Sequence, residues 1–174
     1  MDSVKAVGDT VAMPDETLQL SNHETVRVVR KTADELELEA TWGPGGSPPL
    51  PHLHPAQDEW FEVRTGRLMA NVDGAQRELR PGDTLHVAPR TPHRMWNQGA
   101  ETATALWRTR PPGRTCEWFR TVDRLVAGGT RKPPVSAMAK AVTEYSDVFR
   151  LAIGPTPLRP VVDLALRALA LGWR

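Results

Sequence analysis

Three histidines and one glutamate are spaced so that they could bind a single metal ion. His52 and His54 are separated by one residue, Glu59 follows shortly after them, and His93 lies further along the chain. Residues i and i+2 of a β-strand point to the same face, so the first two imidazoles can lie side by side. Neutral imidazoles with one carboxylate suit a borderline divalent ion such as Fe, Mn, Ni, Co, Cu or Zn.

The sequence therefore predicts one divalent transition metal per chain (Fe, Mn, Ni or Zn), bound by His52, His54, Glu59 and His93. Four protein ligands leave two positions of an octahedral ion open for water, dioxygen or substrate, which favours chemistry over a purely structural metal. Glu59 is the candidate catalytic residue, because it can stay a ligand or leave the ion and act as a base.

Short strands separated by turns are predicted before residue 111. Leu36, Leu38, Ala40 and Trp42 alternate with polar residues, as in a strand with one buried face. Asp73-Gly74 is a hairpin signal. The predicted strands are residues 25–30, 36–42, 59–64, 68–72, 84–87 and 102–109. Their spacing of about ten residues favours a closed or sandwiched all-β unit.

The segment around the first two histidines resembles a known family motif. Gly46-x5-His52-x-His54-x4-Glu59-x6-Gly66 is similar to the first motif of the cupin superfamily at every fixed position. The resemblance spans roughly residues 25–110. It implies a double-stranded β-helix (jelly-roll) barrel in which the four residues named above bind a metal. It also implies a homodimer, since cupins often pair through strands or β-faces.

The second cupin motif, roughly Gly-x5-Pro-x-Gly-x2-His-x3-Asn, is matched in part. Gly82, His93 and Asn97 are in register. Ala88 stands where the family usually has proline, and Arg90 stands where it usually has glycine. These departures affect the local turn and leave the histidine ligand in place.

Helical patterns follow the barrel. A helix is predicted over residues 115–126, a second from Ser136 as N-cap to about Ile153, and a third from Pro157 or Leu158 to Leu171. We therefore predict an all-β barrel with a C-terminal α-helical extension. Its parts are an N-terminal arm (1–24), the barrel (25–110) and an extension (111–174) that packs on the barrel or on a dimer partner.

Strand alternation also predicts which side chains surround the metal. Phe61 and Val63 share a face with Glu59, and Met95 shares one with His93. These residues could line an apolar pocket or form plain barrel core. Asn97 could support the site or stabilise a turn, and Arg90 could bind a substrate carboxylate or be solvated. The candidate pocket residues are Phe61, Val63, Leu68, Ala70, Met95, Asn97 and Arg90. His86 could be taken for a fifth ligand, but alternation predicts a surface or second-layer position for it.

Composition argues against several classes of partner. Lys and Arg number 22, Asp and Glu number 21, and the net charge is +1, so no basic excess indicates nucleic-acid binding. The single cysteine, Cys116, excludes an intrachain disulfide and fits a reducing compartment. Neither a signal peptide nor a membrane span is evident. We expect a cytoplasmic protein that binds a small molecule, with no nucleic-acid or membrane partner.

The leading functional interpretation is a metal-dependent enzyme of the cupin type, an oxygenase acting on an aromatic, enol or polyketide-like substrate. The resemblance supports the class and leaves the reaction open, because cupins also include isomerases, decarboxylases, cyclases, lyases and binding proteins. A zinc-type cyclase or isomerase and a non-catalytic small-molecule-binding cupin are the alternatives. Zn would favour the redox-neutral reactions, and Fe, Mn or Ni would favour oxygenation.

Overall fold

The computed structural model describes residues 16–126, 133–154 and 159–171. Two antiparallel sheets dominate this part of the chain, one ordered β1-β2-β3-β10-β5-β8 and the other β11-β4-β9-β6-β7. The strands are β1 (Thr17–Ser21), β2 (Glu24–Lys31), β3 (Leu36–Trp42), β4 (His52–Leu53), β5 (Asp58–Thr65), β6 (Leu68–Val72), β7 (Ala75–Leu79), β8 (Thr84–Val87), β9 (His93–Trp96), β10 (Ala103–Arg110) and β11 (Arg150–Leu151). The helices are α1 (Thr115–Val126), α2 (Val135–Glu144) and α3 (Arg159–Leu171).

The alternating strands bury their apolar faces in a common core. Leu36, Leu38, Ala40 and Trp42 are buried along β3, whereas the residues between them are more exposed. Their removal from water is the main favourable contribution to folding. The predicted all-β double-stranded β-helix with a C-terminal helical extension is confirmed.

The hairpin between β6 and β7 turns at Asp73-Gly74, with φ angles of 49° and 86°. Positive φ at both central residues is the geometry that favours this dipeptide in tight hairpins. Strand β1 lies within the segment predicted as an arm, and it pairs with β2 at the edge of the six-stranded sheet. Residues 1–15 of that arm lie outside the described residues.

Helix α1 has the predicted bounds, but the second predicted helix is wrong in both its start and its length. The N-cap of α2 is Pro134 and makes no side-chain cap hydrogen bond, so Ser136 lies inside the helix. The helix ends at Glu144, and β11 then pairs with β4, with Leu151 opposite His52. Backbone pairing with the barrel overrides the helical pattern there. Residues 157 and 158, the predicted start of the last helix, are not among those described.

Gln57 joins the barrel to the extension. Its side chain is buried, and its amide nitrogen lies 2.9 Å from the Pro111 carbonyl, 3.1 Å from the Pro112 carbonyl and 2.8 Å from the Thr115 hydroxyl. Hydrogen bonds of a buried amide are costly to lose, because the groups left behind are not solvated. The start of α1 is therefore fixed against the strand that carries Glu59.

Helix α3 packs against α2, and Leu166 reaches the edge of the core. Val161, Leu164 and Leu171 are exposed. In the described ranges, no helix has both the length and the apolar character needed to cross a membrane.

Gly66 should tolerate no side chain. A Cβ at this position would lie 2.5 Å from the Thr102 carbonyl oxygen and 2.6 Å from the Ala103 Cα, and the φ angle is +68°. We expect Gly66→Ala to lower the free energy of unfolding by about 2–4 kcal/mol, since overpacking adds to backbone strain. Gly82→Ala is the control, because it has a positive φ with no atom within 4 Å of the added Cβ. Chemical denaturation measures both variants. Equal losses of unfolding free energy in Gly66→Ala and Gly82→Ala would show that the backbone shifts to relieve the collision at residue 66.

Candidate metal centre

The five-stranded sheet brings three histidines together. His52 on β4 lies opposite His93 on β9 in the strand register, and His54 follows β4 directly. The ring centroids are 4.4 Å apart for His52 and His93, 5.2 Å for His52 and His54, and 5.3 Å for His54 and His93. One ligand atom from each residue lies within 4.8 Å of the others. Among the described residues, this is the cluster that could bind a metal ion.

Glu59 reaches this cluster from β5 in the opposite sheet. Its Oε1 lies 3.3 Å from His54 Nε2 and its Oε2 lies 3.0 Å from His93 Nε2. Trp107 Nε1 donates a hydrogen bond of 3.1 Å to Oε1. The fourth predicted ligand thus contacts two of the three histidines, and the site lies between the two sheets.

Backbone carbonyls orient two of the imidazoles. His54 Nδ1 lies 2.5 Å from the Val148 carbonyl oxygen, and His93 Nδ1 lies 3.0 Å from the Thr91 carbonyl oxygen. A carbonyl can only accept, so Nδ1 donates in both cases, and the neutral form of each ring keeps a lone pair on Nε2. This is the usual way in which proteins orient histidine ligands.

When the imidazoles are neutral, as metal binding requires, the atoms left facing one another are all acceptors, which supports a bound cation. His54 Nε2 and Glu59 Oε2 are buried and have no hydrogen-bond donor among the described residues. Such an arrangement is costly unless a cation lies between the acceptors. Two ligand atoms about 2.1 Å from one ion and at right angles are about 3.0 Å apart. The observed separations of 3.0 and 3.3 Å fit this value, so the residues fit a divalent metal.

The local electrostatics favour the metal-binding protonation state at His52, His54 and Glu59, and oppose it at His93. Burial lowers the pKa of His52 and of His54, and the neighbouring histidines contribute in the same direction. Burial disfavours the Glu59 carboxylate, but His54, His93 and the Trp107 N–H together lower the pKa of Glu59. Burial also works against protonation of His93, whereas Glu59 and the Thr91 carbonyl raise its pKa. Neutral imidazoles and an ionised carboxylate are the metal-binding forms.

The C-terminal extension closes over the histidines. Phe149 stacks on His52 at a centroid distance of 4.8 Å and on Trp118 at 4.6 Å, with interplanar angles of 23° and 27°. The preceding residue, Val148, supplies the carbonyl that orients His54. Sequence reasoning missed both residues, because they fall within the segment predicted as the second helix.

An apolar cavity of about 300 Å³ opens onto the histidines. Most of its lining is aromatic or aliphatic. The described lining residues are Leu20, Glu24, Trp42, Pro49, Leu50, His52, His54, Phe61, His93, Met95, Trp107, Trp118, Phe119, Val122, Met138, Val142, Phe149 and Leu151. This lining contains no Lys or Arg, and Glu24 is its only carboxylate.

The predicted pocket residues divide into two groups. Phe61 and Met95 line the cavity. Val63, Leu68 and Ala70 lie in the packed core instead. Strand alternation places all five side chains on inward faces, but it does not indicate which end of the barrel is open. The assignment of Val63, Leu68 and Ala70 to the pocket does not match the structure for this reason.

Asn97 and Arg90 shape loops beside the site. Asn97 is buried, its side-chain nitrogen donates to the carbonyls of Trp42 and Glu101, and its oxygen accepts from Gly99 N–H, so it stabilises a turn. Arg90 has a φ angle of 65° and is exposed, and its backbone N–H donates to the His54 carbonyl. Arg90 does not line the cavity among the described residues. A pocket role for its side chain therefore has no support in the structure.

His86 lies away from the site, on the surface. Its Nε2 is 2.7 Å from an Asp58 carboxylate oxygen, and its ring stacks on Trp60 at 5.0 Å. The strand alternation indicated this placement.

Glu24 is a site residue that sequence reasoning missed. It is partly buried at the start of β2 and lines the cavity. Burial and the charge of Glu59 raise the pKa of Glu24 to about 7. Strand alternation could have identified it, because Glu24 shares a face of β2 with Val26 and Val28, which are buried.

Glu24→Gln should change the pH dependence of stability. The folded protein binds the Glu24 proton more tightly than the unfolded chain, whose reference pKa is 4.5, because the folded pKa is about 7. The free energy of unfolding therefore falls as pH rises from about 4.5 to 7, by about 3 kcal/mol at most. Denaturation at pH 5 and pH 8, at equal metal content, should show a smaller fall in the variant. An unchanged slope would contradict the assignment.

Comparison with known proteins gives the family of the barrel. The chain matches the family model described as the cupin domain. Residues 38–108 are a cupin domain. Two solved structures share the cupin fold with this chain: KdgF from Halomonas sp. and an RmlC-like cupin from Shewanella frigidimarina. The first has a TM-score of 0.51 and 20% identity, covering 55% of this chain and 86% of that one. The second has a TM-score of 0.52 and 15% identity, covering 59% and 88%.

Curated relatives match the cupin domain and not their whole length. An uncharacterized protein of Methanocaldococcus jannaschii, MJ1618, is 33% identical over 69 residues, which are 40% of this chain and 55% of that protein. Quercetin 2,3-dioxygenase from Bacillus subtilis is 31% identical over 71 residues, 41% of this chain and 21% of that enzyme. Oxidoreductase iacF from Pestalotiopsis fici is 43% identical over 56 residues, 32% of this chain and 27% of that enzyme. The match thus spans about half or less of each relative.

Proposed function

We propose that this cupin is a metal-dependent oxygenase of a small aromatic, enol or polyketide-like substrate. The observation that carries the proposal is the convergence of His52, His54 and His93 at the wall of an apolar cavity, where Glu59 contacts two of these histidines. Two of the curated relatives are named as an oxidoreductase and as a dioxygenase, which supports an oxidative reaction without identifying the substrate.

The cavity wall supports an uncharged, largely apolar substrate. Six aromatic residues belong to this wall: Trp42, Phe61, Trp107, Trp118, Phe119 and Phe149. Flat rings offer large contact areas for a planar substrate. No cationic side chain in the described lining would compensate a phosphate or carboxylate, whose desolvation is costly. These features favour an aromatic or enolic skeleton over a sugar phosphate.

Each part of the site has a distinct role in this proposal. The bound ion would supply a Lewis acid for a substrate oxygen and, if it is Fe, Mn or Ni, a redox centre for dioxygen. The apolar wall excludes water and positions the ring beside the ion. Trp107 holds one oxygen of Glu59, so this carboxylate keeps a fixed orientation toward His54 and His93.

Oxygen consumption tests the proposal. Protein loaded separately with Fe(II), Mn(II) or Ni(II) would be given quercetin, simple catechols and cyclic enols in an oxygen-electrode cell, with His54→Ala as the control. We expect metal-dependent oxygen uptake with at least one of these compounds and none in the variant. Tight binding of the same compounds without uptake, with zinc as the native metal, would replace the oxygenase by a redox-neutral enzyme or a binding protein.

A further inference from the structure

Glu24 and Trp42 lie directly opposite each other on neighbouring strands. They are register partners at the end of β2 and β3, and both line the cavity that contains the histidines. Side chains of directly opposed residues project to the same face of a sheet. On this face the residues that follow, Val26 on β2 and Ala40 on β3, are buried. Both polar groups therefore belong to the interior of the barrel.

Both groups are without a protein partner in the described part of the chain. The Glu24 carboxyl makes no hydrogen bond or ion pair there, although Glu24 is only partly exposed. Trp42 is 3% exposed, and its Nε1 has no acceptor. The N–H of Trp107, in contrast, is bonded to Glu59. Buried tryptophan N–H groups normally find an acceptor, so an unpaired one beside an unpaired carboxyl points to an external group.

We propose that Glu24 and Trp42 form a subsite for a hydroxyl group of the substrate. The hydroxyl oxygen accepts from Trp42 Nε1–H, and the hydroxyl hydrogen is donated to the Glu24 carboxylate. This assignment rests on the proposed function, since it specifies the substrate of the same cavity. It defines the substrate class as a phenol, enol or alcohol on an apolar skeleton.

Glu24 can also take the proton of this hydroxyl. The proton moves to the carboxylate, the electron pair of the O–H bond stays on the substrate oxygen, and Glu24 becomes a carboxylic acid. Burial and the charge of Glu59 raise the pKa of Glu24 to about 7, which suits proton exchange near neutral pH. The other titratable side chains of the lining are the histidines at 52, 54 and 93, and His23 is exposed on the adjoining turn.

Paired probes with and without a hydroxyl test the subsite. The affinities of 1-naphthol and naphthalene would be measured by tryptophan quenching on zinc-loaded full-length protein. The variants are Glu24→Leu, Glu24→Gln and Trp42→Phe, with Met138→Leu as the control in the same wall. The two probes share one ring system and differ only in the hydroxyl group. The ratio of the two affinities therefore isolates the contribution of Glu24 and Trp42.

The wild type and Met138→Leu should prefer 1-naphthol by about tenfold or more, as a charge-assisted hydrogen bond implies. Glu24→Leu should lower the preference to about threefold or less while leaving the naphthalene affinity within about twofold. Trp42→Phe should lower the preference for 1-naphthol by about threefold. The wild-type preference should rise between pH 6 and 8, because the carboxylate is the better acceptor, and this rise should be smaller in Glu24→Gln.

Three outcomes would overturn the subsite: an unchanged preference in Glu24→Leu, an equal loss for both probes, or no binding of either probe by the wild type. Oxygen uptake and metal content report separately on the proposed function. An intact preference in Glu24→Leu alongside normal oxygen uptake would therefore reject the subsite alone.

Discussion

His54→Ala should lose the bound metal almost completely. The imidazole is buried, is oriented by the Val148 carbonyl, and faces both Glu59 and the other two rings. Its removal leaves three candidate ligands, Glu59 and two histidines. It also leaves a cavity that water can enter. We expect the metal affinity, measured by competition with a chromophoric chelator, to fall by at least about a hundredfold, because loss of a ligand should exceed the 10–100-fold cost of losing an outer partner.

His86→Ala is the matched control, since it removes an exposed histidine that bonds to Asp58 and stacks on Trp60. Its metal affinity should equal that of the wild type, and circular dichroism should show both variants folded. If His54→Ala kept wild-type affinity, the ion would bind elsewhere in the protein.

Phe149→Ala should weaken metal binding although Phe149 is not a ligand. The ring lies between His52 and Trp118 in a continuous stack, and its neighbour Val148 orients His54. Without the ring, His52 loses its support and β11 loses packing beside β4. Partners that orient metal ligands are typically worth 10–100-fold in affinity, and we expect a loss in that range. The same chelator competition measures it.

Trp60→Ala controls for this variant, because it removes an aromatic ring stacked on His86, a histidine outside the site. It should leave metal affinity unchanged. A Phe149→Ala protein with unchanged metal affinity would mean that the extension covers the site without positioning the ligands.

The convergence of the candidate ligands could be predicted because three of the four lie within eight residues of one another and the second motif supplies His93. His52 and His54 share parity, and the motif that includes Glu59 fixes the barrel register. The buried and exposed faces of the strands could also be predicted, since the alternation of apolar residues on β3 matches their burial. The position of Arg90 adds a physical reason for the family pattern: its φ angle of 65° is a conformation that glycine adopts without strain.

The contacts from the extension could not be predicted, because they join distant parts of the chain. His54 and Val148 are 94 residues apart, and no local pattern pairs them. β11 has only two residues, too few for a period-2 signal, and the surrounding sequence has helical spacing. Glu24 was missed because the predicted strand begins at Thr25, one residue after the start of β2. Which end of the barrel holds the cavity is likewise a property of the packed sheets.

Metal content of the untagged, chelator-free wild type, measured by plasma mass spectrometry beside His52→Ala, tests the central claim most directly. We predict about one equivalent of a divalent transition metal per chain in the wild type and a large loss in the variant. The absence of metal from both proteins, even after reconstitution with Fe(II), Mn(II), Ni(II) and Zn(II), would contradict the assignment of His52, His54, His93 and Glu59 as a metal site.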